Sequence, residues 1–134
     1  MQKRARVEFA MLRLTAISVM FIGVAVSSAC RNEDALAQGI NGADPVNGRR
    51  LLYSYSCGSC HVIPGVAEAD GTIGPPLGGF GSHVYVAGLQ QNTPENLARW
   101  IARPQEVQPG NAMPDLGVTE QQARDIAAYL YTLR

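Results

Sequence analysis

Apolar positions fall into three regimes along the chain. Leu14 to Ala29 (LTAISVMFIGVAVSSA) runs 16 residues without a charge. Residues 31–44 (RNEDALAQGINGAD) are polar, contain two glycines and show no helical stripe. Beyond them the pattern becomes amphipathic. Thr93 is placed to cap a helix with Pro94 at its first position, where the missing proline N–H costs nothing. Leu97, Trp100 and Ile101 then fall at i, i+3 and i+4 on one face, and Pro104 ends the element. Thr119-Glu-Gln-Gln122 is a capping-box pattern. It opens a helix over 121–133 whose stripe is Ala123, Ile126, Ala127 and Leu130. A first helix is expected from about Pro45 to Ser56. No strand-like run lies beside it.

The N-terminus changes the picture. Lys3, Arg4, Arg6 and Arg13 precede the apolar run, and a basic start before a run of this length is a secretory pattern. The run is short for a transmembrane helix, which needs about 20 apolar residues. A buried core helix would show a polar face, and this run has none. Residues 1–30 are therefore read as an export segment. Three endings are compatible with it. Ser27-Ser28-Ala29-Cys30 resembles a bacterial lipoprotein processing site, although Ser27 stands where an aliphatic residue is usual. Ala35-Leu36-Ala37 fits simple cleavage before Gln38. An uncleaved anchor with Arg13 at the interface is the third. Lipidation would consume the Cys30 thiol, and cleavage after Ala37 would remove it. Residues 31–44 read as a flexible tether, leaving 45–134 as the domain.

Charge and composition narrow the chemistry. The 134 residues carry a formal net charge of zero and accommodate one domain of ordinary size. From Gln38 onward there are six Arg, no Lys and eight acids, which argues against nucleic-acid binding. The same stretch holds 13 Gly and all 8 Pro. So loop-rich and short a chain is expected to complete its core with a metal or cofactor.

Cys57-Gly-Ser-Cys60-His61 supplies the chemistry. Two thiols three positions apart followed by an imidazole form the haem attachment pattern. On a helical turn i and i+3 share a face, so each thiol can add across one vinyl group and His61 can reach the iron. A thioredoxin-like dithiol would need a βαβ context. A zinc site would need further Cys or His ligands, and His83 is the one other histidine. The sixth ligand is limited by scarcity. Past the export segment Met113 is the single thioether, in Pro109-Gly-Asn-Ala-Met113-Pro114 between two prolines rather than on a helical stripe. A lone Met more often fills a core gap, and His83 competes, but no comparable pair of prolines holds it.

On these residues the chain resembles the class I c-type cytochromes, the small bacterial monohaem kind. The resemblance covers about residues 44–134. It rests on CGSCH at 57–61, GPPL at 74–77, ENLARWIARPQEVQPGNAMP at 95–114 and QQARDIAAYLYTL at 121–133, in the family's order. It implies an all-α cytochrome c fold: three to four short helices around one covalently attached haem c. It also implies that the Pro75 carbonyl accepts the Nδ1–H of His61, that Leu77 packs on the haem, and that Met113 is the axial methionine. Trp100 falls where the family has an aromatic near the ligand sulfur, its indole bonding a propionate, the sulfur or water, or simply packing. Gly48, Tyr53, Ile126 and Tyr129 match the close crossing of the first and last helices. The interval between CGSCH and GPPL is slightly long, and Gly78 to Thr93 is compact.

With His61 and Met113 both on the iron, no coordination position is open to substrate. The expected function is one-electron transfer, not catalysis, on the periplasmic side of a bacterial inner membrane. The donor would be a quinol-oxidising complex or dehydrogenase and the acceptor a terminal oxidase. Val62, Ile63, Pro64, Ala112 and Pro114 are expected around the exposed haem edge. A fixed haem subunit of a larger membrane enzyme is the alternative. A five-coordinate peroxidase or gas sensor is a third reading, in which Met113 merely packs.

Overall fold

Asp44 turns the chain into its first helix. Its carboxylate accepts from the backbone N–H of Val46 at 2.9 Å and Asn47 at 3.1 Å, and Pro45 follows as the first helical residue. The computed structural model describes Ile40 and residues 42–134. Residues 1–30, read above as an export segment, lie outside the described residues, as do residues 31–39 and Asn41. Ile40 and Ala43, counted with the tether on sequence grounds, are buried. Ile40 is 5% and Ala43 8% exposed, and both belong to the core.

Helix α1 (Pro45–Ser54) stops two residues short of the expected Ser56, because Ser56 adopts a left-handed φ of 55°. A 3₁₀ turn follows at Cys57–Ser59, then an irregular stretch with one isolated bridge between Val62 and Asp70. A second 3₁₀ turn spans Phe80–Ser82. Strands β1 (Tyr85–Val86) and β2 (Gln90–Gln91), which the sequence did not suggest, pair antiparallel with Val86 opposite Gln90. Ala87 and Gly88, at φ 53° and 71°, make the tight turn between them.

Helix α2 (Pro94–Ala102) is capped by Thr93 Oγ1 accepting from Asn96 N at 3.2 Å. Pro104 ends it as expected and starts the short helix α3 (Pro104–Val107). Helix α4 (Glu120–Thr132) carries the full capping box between Thr119 and Gln122. Among the described residues, no helix is long and apolar enough to cross a membrane.

Helix α4 is the hub. Ala123, Ile126, Ala127 and Leu130 bury its stripe against Leu51 and Leu52 of α1 and Leu97 and Ile101 of α2. The α1–α4 crossing is backbone-close. A Cβ on Gly48 would lie 1.9 Å from the Asp125 carbonyl oxygen. Ile126 is at this crossing, but Tyr53 is not; it is 54% exposed, and Leu52 at 2% takes the buried place one turn beyond Gly48. Tyr129 reaches the next loop, donating its hydroxyl to Pro64 O at 2.7 Å. The crossing is latched by the buried Asp125 carboxylate. It accepts from Asp44 N at 3.0 Å, Asn47 Nδ2 at 2.7 Å and Gln121 Nε2 at 2.9 Å. Three donors meet the solvation that a buried carboxylate loses.

Candidate functional site

The cysteine turn follows directly from the end of α1. Cys60 N and His61 N both donate to Cys57 O, at 3.2 and 3.1 Å, winding Cys57 to His61 into one turn. Neither Cys57 nor Cys60 is in a disulfide. Burial pushes the Cys57 thiol above its ordinary value, a hydrogen bond at its own backbone pulls it back, and nearby Cys60 adds to the rise. Gly58 between the thiols is packed too closely for any side chain, since a Cβ there would lie 2.6 Å from Ala69 Cα.

A second segment is laid across this turn. Gly71 N donates to Gly58 O at 3.0 Å, Gly74 N to Cys60 O at 2.7 Å, and Leu77 N to Val62 O at 2.9 Å. The strap brings the Pro75 carbonyl to 2.7 Å from His61 Nδ1. A carbonyl only accepts, so Nδ1 carries a proton, and in the neutral tautomer this selects, Nε2 keeps the free lone pair. Gly74 lies flush against the ring; a Cβ there would sit 2.4 Å from His61 Cε1. The resemblance implies the His61–Pro75 pairing, whereas Gly74 has no signal in the sequence beyond its place beside that proline.

Met113 is held separately. Its N–H donates to Asn111 Oδ1 at 2.7 Å, and its carbonyl accepts from Gln105 Nε2 at 2.7 Å. Gln105 stands on α3, directly after α2. Neither Gln105 nor Asn111 was singled out in the sequence. Leu77 and Trp100 are half-buried against the common core, as is Cys57. His83 is exposed with its ring centroid 5.1 Å from that of Phe80, a surface position rather than a clamped one. Ile63 is 2% exposed and belongs to the core, so it does not contribute to an accessible edge as expected, whereas Val62 is 40% exposed. Among the described residues no group of three or more His, Cys, Asp or Glu is arranged to hold a metal ion, so the zinc reading gains no ligand set.

The donor set fits a covalently held haem: two thiols outside any disulfide on one turn, a tautomerically fixed imidazole, and a thioether on a tied loop. Ile73 beside Gly74 and Leu116 beyond Met113 are 79% and 42% exposed.

The Cytochrome c family model matches residues 45–134. The chain belongs to the cytochrome c family. It is similar to cytochrome c oxidase subunit 2 of Alkalihalophilus pseudofirmus, 35% identical over 88 residues, covering 65% of this chain and 25% of that protein. Cytochrome c oxidase subunit 2 of a Bacillus species (strain PS3) is 31% identical over 87 residues, 62% of this chain and 24% of that protein. The same subunit of Bacillus subtilis is 34% identical over 68 residues, 49% and 19% respectively. The chain thus spans about a quarter or less of the length of these relatives. No solved structure matches it significantly. The family carries a covalently attached haem c with iron, and the helical fold seen here is the cytochrome c fold.

Proposed function

We propose that this cytochrome c domain carries one electron at a time, with haem c attached through Cys57 and Cys60 and its iron held by His61 and Met113. The haem supplies the Fe(III)/Fe(II) couple; the chain supplies ligands, orientation and an apolar setting. The observation that carries the reading is the His61 Nδ1–Pro75 hydrogen bond at 2.7 Å. It fixes the ring and presents Nε2 as a lone-pair donor, the arrangement a metal-ligating histidine needs. Met113, a neutral thioether ligand, would favour the ferrous state and raise the potential. Leu77 and Trp100 would pack toward the macrocycle. With His61 and Met113 both holding the iron, no ligand position would be left to a substrate, which disfavours the peroxidase and gas-sensor reading.

The test is the far-red Met–iron absorption of the oxidised full chain. It is expected in the natural protein and lost in Met113→Ala, which should keep its haem and bind CO when reduced. Retention of the band in that variant would assign the sixth ligand elsewhere.

The setting proposed is the periplasmic side of a bacterial inner membrane. Residues 1–30 would act as a lipoprotein-type signal, a cleaved signal or a retained anchor. Electrons would come from a quinol-oxidising complex or dehydrogenase and pass to a terminal oxidase. The likeness to oxidase subunits favours a second reading, a haem domain fixed within a larger oxidase. Co-purification with large subunits distinguishes it from a free or tethered carrier.

A further inference from the structure

The loop that presents Met113 is tied by side chains rather than by backbone. Among the described residues, the one backbone–backbone bond made by residues 109–117 is Asn111 N to Gln108 O, at 3.3 Å. Pro109, Gly110, Ala112 and Pro114 are exposed. Left to its backbone, this segment would sample many conformations.

Two amides replace the missing ladder. Gln105 Nε2 donates to Asn111 O at 3.0 Å and Met113 O at 2.7 Å, while its Oε1 accepts from Gly110 N at 3.0 Å. Asn111 Oδ1 accepts from Met113 N at 2.7 Å, and its Nδ2 donates to Pro104 O at 2.9 Å and Gln108 O at 2.7 Å. Both backbone groups of Met113 are therefore held. The tie runs back to Pro104, which is fully buried where α3 leaves α2.

We infer that Gln105 and Asn111 are positioning residues that keep the Met113 sulfur on the iron, and so set how readily another ligand displaces it. The inference rests on Met113 being the axial ligand. A thioether is a weak, neutral ligand, so its hold depends on being delivered in place rather than on bond strength. Ligand-orienting hydrogen bonds of this kind change metal-site affinity by roughly 10–100-fold when removed. Gln105→Leu removes three bonds at near-constant size. Gln105→Glu keeps an acceptor for Gly110 N but turns carboxylate oxygen toward two carbonyls that had received N–H.

The experiment is imidazole titration of the oxidised, haem-loaded full chain, followed by the far-red band. Helical circular dichroism serves as a check on folding. Gln105→Leu, Gln105→Glu and Asn111→Ala are each expected to bind imidazole at least tenfold more tightly than the natural protein (about 1.4 kcal/mol), with helical content unchanged. If Gln105→Leu does not mature, the near-isosteric Gln105→Glu decides. Wild-type imidazole affinity in the Gln105 variants, with the band lost in Met113→Ala, would overturn the positioning role alone. A band that survives Met113→Ala would overturn the ligand assignment and this inference with it.

Discussion

Replacing Gly74 by alanine adds one methyl group at the most crowded point of the site. Its Cβ would stand 2.4 Å from His61 Cε1, 2.7 Å from Nδ1 and 2.9 Å from Nε2. Ordinary contact begins near 3.4 Å, so the ring or the strap must retreat by about 1 Å. The strap has little freedom, being pinned by Gly74 N to Cys60 O at 2.7 Å and by Leu77 N to Val62 O at 2.9 Å. The ring therefore moves, and the Nδ1–Pro75 hydrogen bond is stretched or lost. Overpacking costs about 1–3 kcal/mol and the hydrogen bond about 0.5–1.5 kcal/mol. The sum expected is about 1.5–4.5 kcal/mol. Urea unfolding of the oxidised holoprotein measures it, with absorption reporting the iron's coordination. A lower urea midpoint and a high-spin component are expected together. A Gly74→Ala protein with the natural midpoint and spectrum would refute the claim that this strap orients the imidazole.

Gly48→Ala should force α1 and α4 apart, because its Cβ would lie 1.9 Å from a backbone oxygen that cannot rotate away; a loss of about 3 kcal/mol or more in urea unfolding is expected. Asp125→Ala strands Asp44 N, Asn47 Nδ2 and Gln121 Nε2. It should cost about 2–4 kcal/mol, with the start of α1 losing hydrogen-exchange protection first. Tyr131 gives a pH prediction. Its phenol is pushed up to about 12, first by burial and then by Glu95, while it donates to Asn92 Oδ1 at 2.8 Å. A folded value above the unfolded one means stability fully present below pH 10 and declining as pH rises from about 10 toward 12. Denaturation midpoints of Tyr131→Phe across that window should decline less steeply than those of the natural protein.

The features legible in the sequence are those whose physics is local. Thr93 with Pro94, Thr119 with Gln122, and Pro104 each act within one turn, so their places in the chain already state what they do. CGSCH is likewise a local pattern, since one turn sets the spacing of its thiols. Tyr53 shows where this stops. Leu51, Leu52 and Tyr53 are three consecutive apolar residues, and pattern alone does not say which two the core will take. Packing against α4 chose Leu51 and Leu52 and left Tyr53 54% exposed.

The amino-acid order by itself placed α1, α2 and α4 within about two residues and pointed to the attachment turn and the candidate ligands, while the short helix α3 was not foreseen. Tertiary structure alone decided that Gly74 borders the imidazole, that Gln105 and Asn111 hold both backbone groups of Met113, and that Asp125 closes on Asp44 from 81 residues away. Their partners are chosen by how helices and loops meet in space. A glycine is needed where another group comes too near for a Cβ, and an amide matters when a backbone lacks a partner. Neither condition exists until the chain has folded.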